Sequence, residues 1–194
     1  MAKQTVNIGT TGNDGTGDPI RTAFQKTNAN FTELYNAQGW GYYADSLATP
    51  TIVIGTSFTQ ITIDKLGAST NESYLPYAIR GTGTLFASNK ITPISAGDDH
   101  DGRLDLTVTA RTGSPTFMEF IIDISGGVAG TNKAFTGYLQ TGGTVPYDHS
   151  LALDYFSLST FLANGGKLYA RVDSGSITIG RRNIKITRKS SGTL

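Results

Sequence analysis

From Thr51 onward the chain alternates apolar and polar residues in short runs, and upstream of it the spacing is different. Alternation with a period of two is the mark of a half-buried strand. It predicts strands at Thr51–Ile54, Phe58–Ile63, Tyr74–Ile79, Leu104–Ala110, Thr116–Ile124, Ala134–Gln140, Leu151–Phe156, Lys167–Val172, Ser176–Ile179 and Asn183–Arg188. Turn formers separate them: Gly81/Gly83, Asp101-Gly102, Gly126-Gly127, Gly142-Gly143, Asn164-Gly165-Gly166 and Ser174-Gly175. Many short strands with frequent turns predict a mainly β fold, a jelly-roll-like β-sandwich. No repeat at a solenoid period is visible.

Upstream, Thr5–Ile8 reads as a short extended piece and Gly9–Gly17 as a turn-rich loop. Asp18-Pro19 predicts a helix start, with Asp18 as the cap and Pro19 in the first helical position. Ile20, Phe24, Thr27, Phe31 and Leu34 follow at spacings of four, three, four and three, one stripe along a helix. A helix of this length is marginal alone, so its stripe has to pack on something. "QGWGYY", Gln38–Tyr43, reads as a junction. The expected division is an attachment or oligomerisation segment at 1–44 and a sandwich head at 45–194.

Composition narrows the classes of function. The chain has 194 residues, 38% apolar and 16% charged, with net charge +1. It is too apolar for disorder and too neutral for a general nucleic-acid or membrane-surface binder. Without cysteine it has neither a disulfide framework nor a thiolate metal site. No stretch approaches the ~20 apolar residues of a membrane span. No basic segment followed by an apolar run opens the chain, so a secretory signal is not expected.

"FMEFIIDI", Phe117–Ile124, is apolar almost throughout. Either another chain covers one face of this strand or the strand is central and buried on both sides, the second being preferred. "NIKITR" alternates cleanly, Ile184 and Ile186 against Lys185, Thr187 and Arg188.

The glycine-rich opening could in principle cradle a phosphate. Gly12 and Gly17 have Walker-type spacing, but Asp18 stands where lysine is required, and a carboxylate at a helix N-terminus repels an anion. The stretch "NIGTTGNDGTGDPIRTAFQKTNANFTELYN" instead closely resembles a segment near the N-termini of bacteriophage virion proteins, notably tail-fibre and related appendage or capsid-surface proteins. The resemblance covers about thirty residues. It is carried by Asn13-Asp14-Gly15-Thr16-Gly17-Asp18-Pro19, Arg21-Thr22-Ala23-Phe24, Lys26, Asn28, Asn30-Phe31 and Glu33-Leu34-Tyr35. It implies a virion-proximal attachment or trimer-nucleating segment, and with the stripe it puts the expected interface at Asp18, Pro19, Ile20, Phe24, Thr27, Phe31, Leu34 and Tyr35. Thr27 departs from the pattern, since an aliphatic residue is expected there. Farther on, "YFSLSTFLANGGKLYARV" and "ITIGRRNIKITRK" are similar to the small jelly-roll heads of phage proteins and, in architecture, to tumour-necrosis-factor-like trimers.

Several clusters could carry chemistry. "GDDHDGRLD", Gly97–Asp105, offers oxygen ligands for Ca²⁺ but departs from EF-hand spacing, and an exposed acidic turn is preferred. His100 and His149 lie in turn-like segments without a Gly-x-Ser-x-Gly elbow. Asp148 and Asp154 are a carboxylate pair that could flank a sugar. Tyr42, Tyr43, Tyr74, Tyr77, Tyr138, Tyr147 and Tyr155 include several beside loops, suited to sugars or protein surfaces or else to a strand's core and rim. Arg181-Arg182 and Arg188-Lys189 could meet lipopolysaccharide or an acidic capsid patch, but a solvated, aggregation-resistant strand edge is preferred.

These readings converge on a non-enzymatic virion structural protein, assembled in the host cytoplasm as a homotrimer. It is expected to project as a short tail-fibre-type appendage that contacts other tail or capsid proteins and, as a candidate partner, host-surface polysaccharide. The alternative is a capsid decoration or cement protein, and the remote one a polysaccharide-cleaving enzyme. No catalytic, cofactor or metal residue is assigned, and neither nucleic acid nor membrane insertion is expected.

Overall fold

The computed structural model describes residues 4–11, 14–126 and 133–191. Gly12, Asn13 and Gly127, which enter the sequence reading, lie outside them. Helix α1 (Ile20–Ala37) forms on the striped segment. Its N-cap is Pro19, in an extended conformation and without a side-chain capping bond, so the expected cap by Asp18 is corrected by one position. Pro19 still starts the helix, because its carbonyl accepts the Ala23 N–H at 3.0 Å. At the other end Gln38 is extended and the chain passes directly into strand β1 (Gly39–Ala44). The expected junction is therefore a strand. A side chain at Gly39 would run into Pro76 and Leu75, which is why the turn into β1 needs glycine.

The strands that follow are β2 (Ile52–Ile54), β3 (Thr59–Gln60), β4 (Phe86–Ala87), β5 (Lys90–Ile91), β6 (Asp99–Thr112), β7 (Phe117–Asp123), β8 (Lys133–Gln140) and β9 (Tyr147–Phe156). A short helix, α2 (Ser159–Asn164), precedes β10 (Gly166–Val172) and β11 (Ser176–Ser190). The expected strand at Tyr74–Ile79 is a run of turns instead. Pro76 has no N–H to give a ladder, and its carbonyl accepts the N–H groups of Ile79 and Arg80. Asp101-Gly102 is not a turn but the interior of β6, where Gly102 lies opposite both Ile186 and Leu153.

One antiparallel sheet runs β1–β11–β6–β9, with β2 beside the other half of β11. The second runs β4–β5–β10–β7–β8, with β3 beside β10. The pairing of β7 with β10 is nested inside that of β6 with β11, so a long double ribbon folds over on itself, and the result is a jelly-roll-like sandwich. The facing sides meet in one core that includes Leu104, Leu106, Phe120, Ile122, Ile184 and Ile186.

Two expected strands, Ser176–Ile179 and Asn183–Arg188, are the two halves of β11. Between Ile179 and Arg182 the register shifts, because β11 spends one residue more than β6 over this interval. The bulge keeps Ile177 and Ile179 on the same inner face as Ile184 and Ile186, although the sequence spacing slips.

Strand β7 lies between β10 and β8 and is buried on both sides. Glu119, on its outer face, meets Arg171 Nε at 2.7 Å and Lys133 Nζ at 3.6 Å, and both cations lie over the Phe58 ring. Ile121, on the same face between Tyr169 and Thr136 of the flanking strands, is buried within the same chain.

Candidate attachment surface

The opening loop is held by its own polar residues. Asp14 is its hub: Oδ2 accepts the Thr10 N–H, the Thr10 hydroxyl and the Thr11 N–H at 2.7–2.8 Å, and Oδ1 accepts the Thr16 N–H at 2.9 Å. Four donors on one carboxylate favour its charged form, and the Thr10 hydroxyl foremost holds Asp14 well below the usual carboxylate range. Asp18 closes the loop. Its carboxylate accepts the Asn7 N–H, its N–H donates back to the Asn7 carbonyl, and Lys26 Nζ reaches the same carboxylate at 2.7 Å. That lysine contact, with the Asn7 bond, lowers the Asp18 pKa.

The chain before the loop then runs back along α1, where Gln4 and Asn30 exchange two hydrogen bonds, at 2.9 and 2.8 Å. Asp14, Asp18, Lys26 and Asn30 thus have local, internal work.

The apolar residues of the same stretch have no such partner. Ile20 is 76% exposed, Phe24 62%, Phe31 54%, Leu34 57% and Tyr35 71%. Thr27, in the middle of the stripe, is half-buried and donates its hydroxyl to the Ala23 carbonyl at 3.0 Å. Pro19 is exposed as well, whereas Asp18 is half-buried. Beside the stripe, an open cleft of about 630 Å³ lies between α1 and the turns that join β3 to β4, with Phe31, Tyr35, Tyr77 and Arg80 among its walls. Sequence reading did not connect Tyr77 and Arg80 with α1. Their signal was hidden in a segment that looked like a strand.

The other candidate clusters are dispersed by the fold. The acidic run Asp98–Asp105 is no exposed turn. Asp98 and His100 are fully buried, and Arg188 Nη2 meets Asp98 Oδ1 at 2.7 Å. The two arginine-containing C-terminal pairs are not a solvated edge either, since β11 is an inner strand. Arg182 is fully buried, with Nε 2.5 Å from Asp45 Oδ2 and Nη2 donating to the Pro50 carbonyl. Burial is the larger influence on Asp45 and pushes its carboxyl up against the pull of Arg182. Outside, Lys189 lies between Asp99, Asp101 and Asp154 at 3.1–3.5 Å.

Ser157 Oγ comes within 3.5 Å of His100 Nδ1, but both residues are wholly enclosed and His100 stacks on Tyr155, a packing arrangement without access for a substrate. Burial lowers the His100 pKa. Asp148 and Asp154 share a face of β9 six residues apart, roughly 20 Å along a strand. That is well beyond the ~5–9.5 Å of a glycosidase pair. Of the tyrosines, Tyr43 and Tyr155 are core, and Tyr74, Tyr77 and Tyr138 are exposed.

A family described as "Bacteriophage T4 gp9/10-like protein, N-terminal" matches residues 3–101, half of the chain. The chain belongs to this family. It is accordingly a bacteriophage structural protein. The gp9/10-like region takes in the loop, α1 and β1 to β5 and ends within β6, and its strands β1 and β2 pair with β11 at the far end of the sequence.

No curated protein matches the chain. Among solved structures it is similar to the PRD1 vertex protein P5, with 16% identity over 79% of this chain and 97% of the other, at a TM-score of 0.43. It is also similar to the Eiger TNF of S. frugiperda, with 8% identity over 81% and 96% at 0.45. A chain of the Bacillus endospore appendages that form disulfide-linked pili shares 14% identity over 80% and 94% at 0.38. None of these scores reaches 0.5, and the fold stands on the strand pairing alone.

Proposed function

We propose that this gp9/10-like chain is a non-enzymatic virion protein that assembles as a homotrimer through α1 and projects from the particle as a short tail-fibre-type appendage. One observation carries the reading: the polar residues of the opening motif bond to each other, while Ile20, Phe24, Phe31, Leu34 and Tyr35 are left more than half exposed along one helix. Enclosing the remainder of five such side chains is worth on the order of 5 kcal/mol per copy. The loop stiffens the start of α1, so Asp18 and Pro19 orient the stripe and Ile20, Phe24, Thr27, Phe31, Leu34 and Tyr35 form its contact. Heads tethered to such a seam meet at high effective concentration, and neither contact needs to be strong by itself.

In this reading the segment and the head divide near Gln38, with β1 belonging to the head. Assembly takes place in the host cytoplasm, other virion proteins receive the anchored end, and the head faces host polysaccharide. A capsid-decorating clamp is the second reading. It is favoured by the direct passage from α1 through Gln38 into β1, which leaves no shaft.

Imaging of the assembled particle with a labelled chain tests both readings. Density at the tail in low copy number is the expected result. Density spread over the shell in high copy number transfers the function to the clamp. A lone monomer whose α1 stripe remains in solvent on the particle overturns both.

A further inference from the structure

The outer face of the β1–β11–β6–β9 sheet carries a small polar groove that none of the preceding readings uses. Its volume is about 250 Å³, and Arg103, Asp105, Thr107, Asp148, Arg181 and Asn183 are among its walls. We propose that this groove binds a neutral saccharide unit through vicinal hydroxyls. It names a site for the host-polysaccharide contact proposed above, and it rests on that reading for the source of the sugar alone.

Ladder register builds the site. Asn183, Asp105 and Ser150 are paired across β11, β6 and β9 and so form one row, in steps of about 4.8 Å. One row along, Thr107 is paired with Asp148, and the β11 bulge sets Arg181 outward beside them. Two rows about 7 Å apart and three strands wide have the footprint of a single sugar ring.

Much of the lining is preorganised. Arg103 Nε and Nη2 hold Asp105 Oδ2 at 3.0 and 2.9 Å, the Ser150 hydroxyl donates to Asp105 Oδ1, and the Thr107 hydroxyl donates to Asp148 Oδ1 at 2.6 Å. Two guanidinium groups face two carboxylates, a balance that favours a neutral ligand over an anion or a cation.

Two groups on the outward rows are left over, and His149, also in the lining, has an Nε2 without a hydrogen-bond partner. Arg181 is exposed and makes no hydrogen bond or ion pair among the described residues. Asn183 is nine-tenths buried in the groove, and its Oδ1 has no hydrogen-bond partner. Buried acceptors are nearly always satisfied in folded proteins. A hydroxyl is the group that can accept from Arg181 and donate to the Asn183 oxygen at once, after a rotation of the enclosed Asn183 amide turns that oxygen into the groove. Tyr42 stands in the adjoining row, with Lys185 and Arg103, where a second ring of an oligosaccharide would run over its face.

The test is a titration of the isotope-labelled full chain with the methyl glycosides of glucose, galactose and mannose, followed by NMR. At least one should shift the backbone amides of Asp105, Ser150, Arg181 and Asn183 together with the Asn183 side-chain amide, with a Kd on the order of 1 mM. R181A and D148A alter exposed side chains, should keep the wild-type melting profile, and should each weaken binding about tenfold or more, through loss of a charge-assisted hydrogen bond. The inference is overturned if none of the three glycosides shifts these amides, if the shifts fall elsewhere, or if both variants bind as the wild type does. Polysaccharide purified from the host strain separates the two levels. Equal binding by wild type and by R181A/D148A sinks the groove and leaves the proposed host contact standing. Binding lost in the double variant supports both. No binding by the wild type, with the glycoside shifts present, removes the host contact and keeps the groove.

Discussion

Arg182 and Phe24 occupy each other's customary places. The arginine is completely enclosed in the sandwich, while the phenylalanine on α1 is 62% exposed. In the head, charged groups go inward because each finds a partner there: Asp45 for Arg182, Asp98 for Arg188, Arg171 and Lys133 for Glu119. On α1 the partners are used up on the surface. Lys26, Asn30 and Asp18 bind the loop or the chain before it, and among the described residues the apolar stripe is left more than half exposed. The head pairs its enclosed arginines within a single copy, although Leu47, Phe156 and Leu158 stand more than half exposed on it. The segment carries its apolar residues in one exposed stripe, and this difference underlies the proposal that it is the part that meets something else.

The contrast can be broken from the head's side with the largest effect. R182A strands the Asp45 carboxylate in the core and should cost roughly 3–5 kcal/mol in denaturant unfolding. D45A should cost about as much. If either substitution costs under about 1 kcal/mol, the enclosed pair does not hold the N-terminal part of the head to β11 as described.

F24S/F31S works on the other side. At dilutions where both chains are single copies it should leave the unfolding midpoint of the head where it was, since both side chains are more than half exposed in the single chain. Assembly should suffer by on the order of 2–4 kcal/mol per copy, from the lost burial of two aromatic side chains. Sedimentation of wild type and variant checks this, with the wild type at three times 20.6 kDa and the variant shifted to a single copy. A destabilised head with unchanged assembly would reverse the roles assigned to the two regions.

Acid gives the smallest and most local separation. The pKa values of Asp14 and Asp18 are lowered in the folded loop. What they contribute is therefore present in full above the ordinary carboxylate pKa near ~3.9, and is lost as the pH falls below it through the lowered values. Hydrogen exchange, corrected for its intrinsic pH dependence, should show the Thr10, Thr11 and Thr16 amides losing protection below about pH 4 but not at pH 5. D14N should show the same loss at neutral pH, with the amides of β6 and β11 unaffected. Equal protection in D14N would remove Asp14 from its position as hub of the loop.

How far the fold was legible follows from the distance over which each interaction acts. The stripe on α1, the turn-rich loop and the alternation of β2, β7, β8 and β10 depend on neighbours within a few residues, and their patterns were readable. Tyr74–Ile79 also alternates, yet Pro76 denies it a ladder and buried Leu75 takes it into turns. β1 was missed because "QGWGYY" has no apolar alternation of its own. It is a strand because Arg188 to Asn183 lie alongside it. Of the interface residues expected at α1, Ile20, Phe24, Phe31, Leu34 and Tyr35 are exposed, whereas Asp18 and Thr27 are half-buried. The groove residues were out of reach, since Asn183, Asp105 and Ser150 become neighbours only through the register of three strands.

By itself, then, the sequence determined the local parts: a helix with one apolar face, a turn-rich loop before it, and enough alternating runs for two sheets. Tertiary structure alone decided which strands pair, that the run Asp98–Asp105 enters a strand, and that Arg182 and Arg188 turn inward. Their partners, Asp45 and Asp98, lie 137 and 90 residues away along the chain. Short-range hydrogen bonds and periodicity are written in adjacent residues, whereas the burial of a charge depends on a counter-charge that only the folded chain brings near.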